Sequence, residues 1–114
     1  MISGLHAIVF SSEPEQDRAF LRDILTFTSV DAGDGWLIFA MPPTELAVHP
    51  GDEARCELYL MCDDIHAAVE TLSAKGVEFS RPVSDEGWGL LTALTMPGGS
   101  ELGLYEPRHP IAHA

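Results

Sequence analysis

The chain has 114 residues, with 6 Lys plus Arg against 18 Asp plus Glu and a formal net charge of −12. That length holds one hydrophobic core and not two, and that charge repels phosphate backbones and anionic lipid headgroups, which sets nucleic acid and membrane surfaces aside as partners. The same field draws in a cationic ligand, although a solvated acidic surface is its plainer meaning.

The first residues, Met1-Ile2-Ser3-Gly4-Leu5-His6, show neither a basic leader nor a long apolar run. No segment approaches the roughly 20 apolar residues of a membrane span. Gly4 to Ser11 predicts a strand, with Leu5, Ala7 and Val9 on one side and His6, Ile8 and Phe10 on the other. Both sides are largely apolar, so the strand is expected to be covered on both faces. Ser12-Glu13-Pro14-Glu15 fits a capping box, and the helix it opens runs to about Leu25 with Phe20, Leu21, Ile24 and Leu25 on one stripe. Phe27 to Ala32 reads as a short strand, Gly33-Asp34-Gly35 as a hairpin turn and Trp36 to Met41 as the returning strand. Pro42-Pro43 breaks the ladder, Glu45 to His49 makes a fourth strand, and Pro50-Gly51-Asp52-Glu53 is a short linker.

The same order then returns. Glu57 to Cys62 reads as a strand, and Asp63 to Lys75 as a helix with Ile65, Ala68, Val69 and Leu72 at helical spacing and Gly76 as its C-cap. A brief strand near Glu78 to Pro82, a loop at Ser84 to Gly87, a long strand Trp88 to Met96, a Pro97-Gly98-Gly99 turn and a last strand Glu101 to Tyr105 follow. The stretch Pro43-Thr44-Glu45-Leu46-Ala47-Val48-His49-Pro50 is echoed by Gly99-Ser100-Glu101-Leu102-Gly103-Leu104-Tyr105-Glu106-Pro107. The order is therefore βαβββ twice, an α+β pattern in a single unit spanning residues 1–114, with one module over about 1–50, a second over about 55–107 and a tail at 108–114. A domain made of two copies tends to place its working site where the copies face each other.

Cys56 and Cys62 lie on one predicted strand, too close in an extended chain for a useful bridge, so reduced thiols in the cytoplasm are the simpler expectation. Neither has a histidine at nucleophile spacing. His66, His109 and His113 receive no assigned role, the last two because a tail is weak ground for a metal. No glycine-rich phosphate loop or serine nucleophile elbow is present.

Three marks in order resemble the vicinal oxygen chelate superfamily, which holds glyoxalase I, type I extradiol dioxygenases, methylmalonyl-CoA epimerase and the bleomycin resistance proteins. They are Arg18-Ala19-Phe20-Leu21-Arg22-Asp23-Ile24-Leu25 in the first helix, Cys62-Asp63-Asp64-Ile65 opening the second, and Pro97-Gly98-Gly99-Ser100-Glu101-Leu102 before the last strand. The resemblance implies a curled, cup-shaped, eight-stranded mixed sheet with the helices on its outer face. It also implies that a divalent metal, where held, is bound from the first and last strands of each module.

Those positions here are His6, Ala47, Glu57 and Gly103, and only His6 and Glu57 carry a donor. A catalytic metal usually needs three protein ligands, so a complete divalent site is not supported and the cofactor is unknown. If an ion is bound, His6 and Glu57 are its ligands. Glu45 and Glu101 lie two residues before the vacant places, nearly 7 Å along a strand, out of reach without a shift in register. Without a metal, His6 and Glu57 form an acid and base couple suited to isomerase or lyase chemistry beside a carbonyl. Ile8, Phe10, Tyr59 and Met61 continue the same sides of their strands, His49 and Tyr105 lie past the vacancies, and Trp36 and Trp88 open the long strands as rim aromatics, together the lining of a small-molecule pocket.

The leading expectation is thus a glyoxalase-like, cytoplasmic, homodimeric protein binding a small organic ligand, with any chemistry limited to proton transfer by His6 and Glu57. A non-catalytic, drug-sequestering protein of the bleomycin resistance type is the alternative. A metal-dependent lyase or dioxygenase with a non-standard ligand set comes third.

Overall fold

The computed structural model describes residues 6–50, 52–53 and 55–112; Gly4 and Leu5 of the expected first strand, Gly51 of the linker and His113 lie outside them. Helix α1 (Pro14–Ala19) starts where a proline is tolerated, in the first turn, and runs on into a π-helical turn at Phe20–Ile24. The expected capping box is not how it begins. Ser11, not Ser12, supplies the oxygen, accepting the Glu13 N–H at 2.9 Å, and Glu13 is the N-cap. The wider turn is closed by the Leu25 N–H donating to the Phe20 carbonyl at 3.2 Å.

A hairpin follows, β1 (Ser29–Asp31) paired antiparallel with β2 (Leu37–Phe39). Its turn takes positive φ at Gly33, Asp34 and Gly35 in succession, which two glycines and an aspartate accommodate without a Cβ clash. Asp31 closes it by accepting the Gly33 N–H at 2.7 Å and the Gly35 N–H at 3.3 Å.

The chain from Tyr59 onward is built more completely. Strand β3 (Tyr59–Met61) leads into helix α2 (Ile65–Ala74), then β4 (Glu78–Asp85), β5 (Gly89–Thr95) and β6 (Glu101–Pro107) form a sheet in the order β3-β6-β5-β4. The β3–β6 pair is parallel and the other two are antiparallel. Asp64 caps α2, accepting the Ala67 N–H at 3.1 Å, while Glu106 on β6 accepts the Ile65 N–H at 3.1 Å and ties the helix to the sheet. Strand β4 runs further than the sequence pattern indicates. Irregular register between Phe79 and Ser84 accommodates Pro82, which an edge strand tolerates because its N–H side need not pair.

The core lies between this sheet and the helices. Phe20, Val77, Leu94, Met96 and Leu102 are buried together, and Leu21, Ile24 and Leu25 pack against them, so the stripe that begins at Phe20 is buried on the four-stranded sheet. Asp17 adds a polar staple, accepting the Gly98 N–H of the β5–β6 turn at 2.7 Å.

Six strands in two separate sheets therefore stand where eight in one cup were expected. Residues 6–10 and 45–49 belong to no strand among the described residues. The internal repeat makes the difference measurable. Leu102 and Leu104 on β6 are 5% and 4% exposed, whereas their counterparts Leu46 and Val48 are 82% and 92% exposed. Ile8 and Phe10 are likewise exposed. The physical reason is that a strand needs a neighbour for its backbone groups, and β6 has β3 and β5 while 45–49 has no ladder partner among the described residues.

Candidate functional site

Alternation along β3 and β6 divides their residues between two faces. Leu60 and Leu102 turn toward the helices, so Tyr59, Met61, Gly103 and Tyr105 share the opposite face, with Tyr59 registered against Gly103 and Met61 against Tyr105. The Tyr59 and Tyr105 rings meet edge to face, with centroids 5.8 Å apart at 89°. Trp88, just before β5, meets Tyr105 in the same manner at 5.8 Å and 74°, and His49 stands edge-on to Trp88 at 6.3 Å. Four of the aromatic residues expected at the site thus form one continuous group.

Each tyrosine is anchored on a carboxylate. The Tyr59 hydroxyl donates to Glu57 Oε2 at 2.6 Å, and Arg55 pairs with the other oxygen of Glu57. Those bonds, the phenol's first and the guanidinium's second, hold the Glu57 carboxyl below its ordinary pKa, while the bond to Glu57 first and burial second push the Tyr59 phenol up. The Tyr105 hydroxyl donates to Glu45 Oε1 at 3.2 Å; burial first, and this carboxylate second, raise its pKa.

His109 joins from beyond β6. Its ring stacks on Tyr105 with centroids 6.0 Å apart at 29°, Nε2 lies 3.4 Å from the Tyr105 hydroxyl, and Nδ1 lies 2.8 Å from the Pro110 carbonyl. A carbonyl only accepts, so Nδ1 carries the proton in that contact. Sequence reasoning passed over His109 because it lies past the last predicted strand. Its only signal was its spacing of four from Tyr105.

The remaining expected residues are elsewhere. His6 is exposed and makes no hydrogen bond or ion pair with Glu57 among the described residues. Ile8 and Phe10 are exposed on the unpaired segment. Trp36 lies beneath the Arg18 guanidinium, 4.7 Å from its ring centroid.

A family-type metal centre does not fit these residues. A Cβ at Gly103 would lie 2.8 Å from Tyr59 Cγ and closer still to two other ring carbons, so the place of the last-strand ligand is filled by an aromatic ring. Glu57 is already engaged by Tyr59 and Arg55. Among the described residues no group of three or more His, Cys, Asp and Glu is arranged to hold an ion.

Comparison with known proteins decides the lineage. The model of the Glyoxalase/Bleomycin resistance protein/Dioxygenase superfamily matches residues 5–104. The chain belongs to that superfamily. No curated protein matches it significantly in sequence. Among solved structures, a superfamily member from Sphaerobacter thermophilus DSM 20745 is similar at 24% identity, with 92% of this chain and 98% of that one covered and a TM-score of 0.67. TnmS3, described as an antibiotic binding protein from Streptomyces sp. CB03234, is similar at 23% identity over 93% and 97%, with a TM-score of 0.68. A lactoylglutathione lyase from Agrobacterium tumefaciens is similar at 12% identity over 91% and 92%, with a TM-score of 0.65. At these identities the likeness establishes the glyoxalase fold, which a binding protein and an enzyme both use. No helix among the described residues is long and apolar enough to cross a membrane.

Proposed function

We propose that this glyoxalase-superfamily protein binds a small organic molecule against the face formed by Tyr59, Tyr105, Trp88 and His49, and does so without a metal at the superfamily's position. One observation carries the reading: the Tyr59 ring occupies the space above Gly103, which turns a ligand position for a cation into part of an aromatic wall. Phenols anchored on Glu57 and Glu45 orient that wall and give it polar edges, the make-up of a small-molecule site. Trp88 reports on it. Titrating its fluorescence with planar antibiotics, 2-oxo acids and acyl thioesters should show saturable quenching by at least one class, lost in Tyr105→Ala. Absence of any response across the panel would overturn the reading.

A catalytic form of the same reading gives His6 and Glu57 proton transfer in an isomerase or lyase. The lowered Glu57 pKa makes this carboxylate a weak base at neutral pH, which places binding ahead of turnover. Glu57→Gln should abolish any turnover if the couple acts, and unchanged activity would sink it.

We further infer a homodimer in a reducing, cytoplasmic setting. The side chains of Ile8, Phe10, Leu46 and Val48 are exposed and apolar, whereas Leu102 and Leu104, the counterparts of Leu46 and Val48, are buried. A second copy laid against them would hide a surface that water otherwise meets. Leu46→Asp should shift the sedimentation coefficient from dimer to monomer while leaving the chain folded; a monomer in the unsubstituted protein refutes the inference.

A further inference from the structure

We propose that residues 109–112 sit in the ligand's place, held by contacts that a flat heteroaromatic compound with an N–H donor would make for itself. The inference rests on the binding face described above and adds the chemical class of its occupant. Its basis is how His109 and Ala112 meet Tyr105 and Glu45. The His109 ring lies nearly parallel to Tyr105, at 29° and 6.0 Å. Three residues on, the Ala112 N–H donates to Glu45 Oε2 at 2.9 Å, while Tyr105 donates to Oε1 of the same carboxylate at 3.2 Å. Glu45 thus accepts from the sheet and from the segment alike, and its side chain is only 16% exposed. A stacked ring and an N–H aimed at a sheltered carboxylate are the two features an aromatic amine would present.

His109 Nε2 also lies 3.4 Å from the Tyr105 hydroxyl and 3.8 Å from Glu45 Oε1, and among the described residues little else holds the segment. The Arg108 N–H donates to the Trp88 carbonyl at 2.8 Å, and beyond that rung no backbone–backbone hydrogen bond ties 109–112 down among the described residues. Pro110 has no N–H to offer. Glu45 also lies outside any strand. Exchanging the segment for a ligand therefore leaves the β5–β6 ladder intact, and Tyr105 stays in place on β6. An ionised carboxylate only accepts, so Glu45 selects a compound that donates, and the net charge of −12 disfavours an anionic one.

The test uses 2-aminobenzimidazole as the probe and 2-naphthoate, a flat anion without an N–H, as the control, measured by calorimetry and amide NMR. The probe should bind the full chain, shift the His109 and Ala112 amide resonances and speed hydrogen exchange at Ala112; the control should not bind. Ala112→Pro removes the competing N–H, and His109→Ala the competing ring. Either should tighten probe binding, by about tenfold if the segment is seated in about nine molecules of ten. Glu45→Gln should weaken it. The proposal is overturned if the probe fails to bind, if it binds with Ala112 exchange unchanged, or if both segment variants bind no tighter. Ligands that bind the tyrosine face without displacing the segment would end this inference and leave the binding reading standing, whereas a Trp88 signal deaf to every compound would end that reading itself.

Discussion

The ring of Tyr59 on β3 fills the volume into which a side chain at Gly103, its register partner on β6, would project. Gly103→Ala should therefore force the ring or the strand to move, at a cost of about 1–3 kcal/mol in urea unfolding. In a Tyr59→Ala background the same change should cost far less. A coupling of about 1 kcal/mol or more in the double-mutant cycle is expected, and additive costs would show that the ring is not the obstacle.

How much of this was legible beforehand depended on whether the determinant was local. The stripe Phe20, Leu21, Ile24 and Leu25 was read as one face and is packed on one core. The turn at Gly33 to Gly35 formed as its composition required, because positive φ is a property of those residues alone. The strands at 6–10 and 45–49 had the same apolar pattern, yet pattern does not provide a ladder partner, and neither is a strand here. Period-two alternation puts Tyr59 and Tyr105 on one face of their strands, where their rings meet each other and Trp88, with His49 edge-on to Trp88. It also put Arg55, Glu57 and Tyr59 on one face, a signal for Glu57's partners that was there to be used.

The Tyr59–Glu57 bond should make stability depend on pH at both ends of the range. Glu57 has a folded pKa below its ordinary 4.5, so its contribution is present above that value and fades as pH falls through the lower folded one. Tyr59 has a folded pKa above its ordinary 10.0, so its contribution is full below that value and fades as pH rises through the higher folded one. Tyr59→Phe should cost about 0.5–1.5 kcal/mol near neutrality. The difference from the unsubstituted chain should shrink in acid below 4.5 and in alkali above 10.0. A difference that stays flat across both limits would show that the hydroxyl contributes nothing through this pair.

Asp17 is 5% exposed, and its Oδ1 accepts the Gly98 N–H while Oδ2 has no partner among the described residues. Asp17→Ala leaves the Gly98 amide without that acceptor and should destabilise the chain by about 1–3 kcal/mol. Gly98→Ala attacks the same joint from the other side, since its Cβ would run into Ser11 Oγ and lie 2.6 Å from Asp17 Oδ2. Chemical unfolding of the two variants should give losses of the same sign, and a neutral Gly98→Ala would mean that the turn yields freely.

The two thiols, Cys56 and Cys62, should differ sharply in reactivity although only five residues separate them. Burial, reinforced by Glu106, Asp63 and Asp64, pushes the Cys62 thiol up to about 11, so at pH near 8 only about one in a thousand is thiolate, the form that reacts. Cys56 is exposed and free. A disulfide reagent should therefore titrate one thiol rapidly in the native chain, and a second only after denaturant is added. Cys56→Ser should remove the fast phase and Cys62→Ser should keep it. Equal rapid labelling of both would mean that β3 opens often enough to bring Cys62 to the reagent, in conflict with its place beside the β3–β6 ladder.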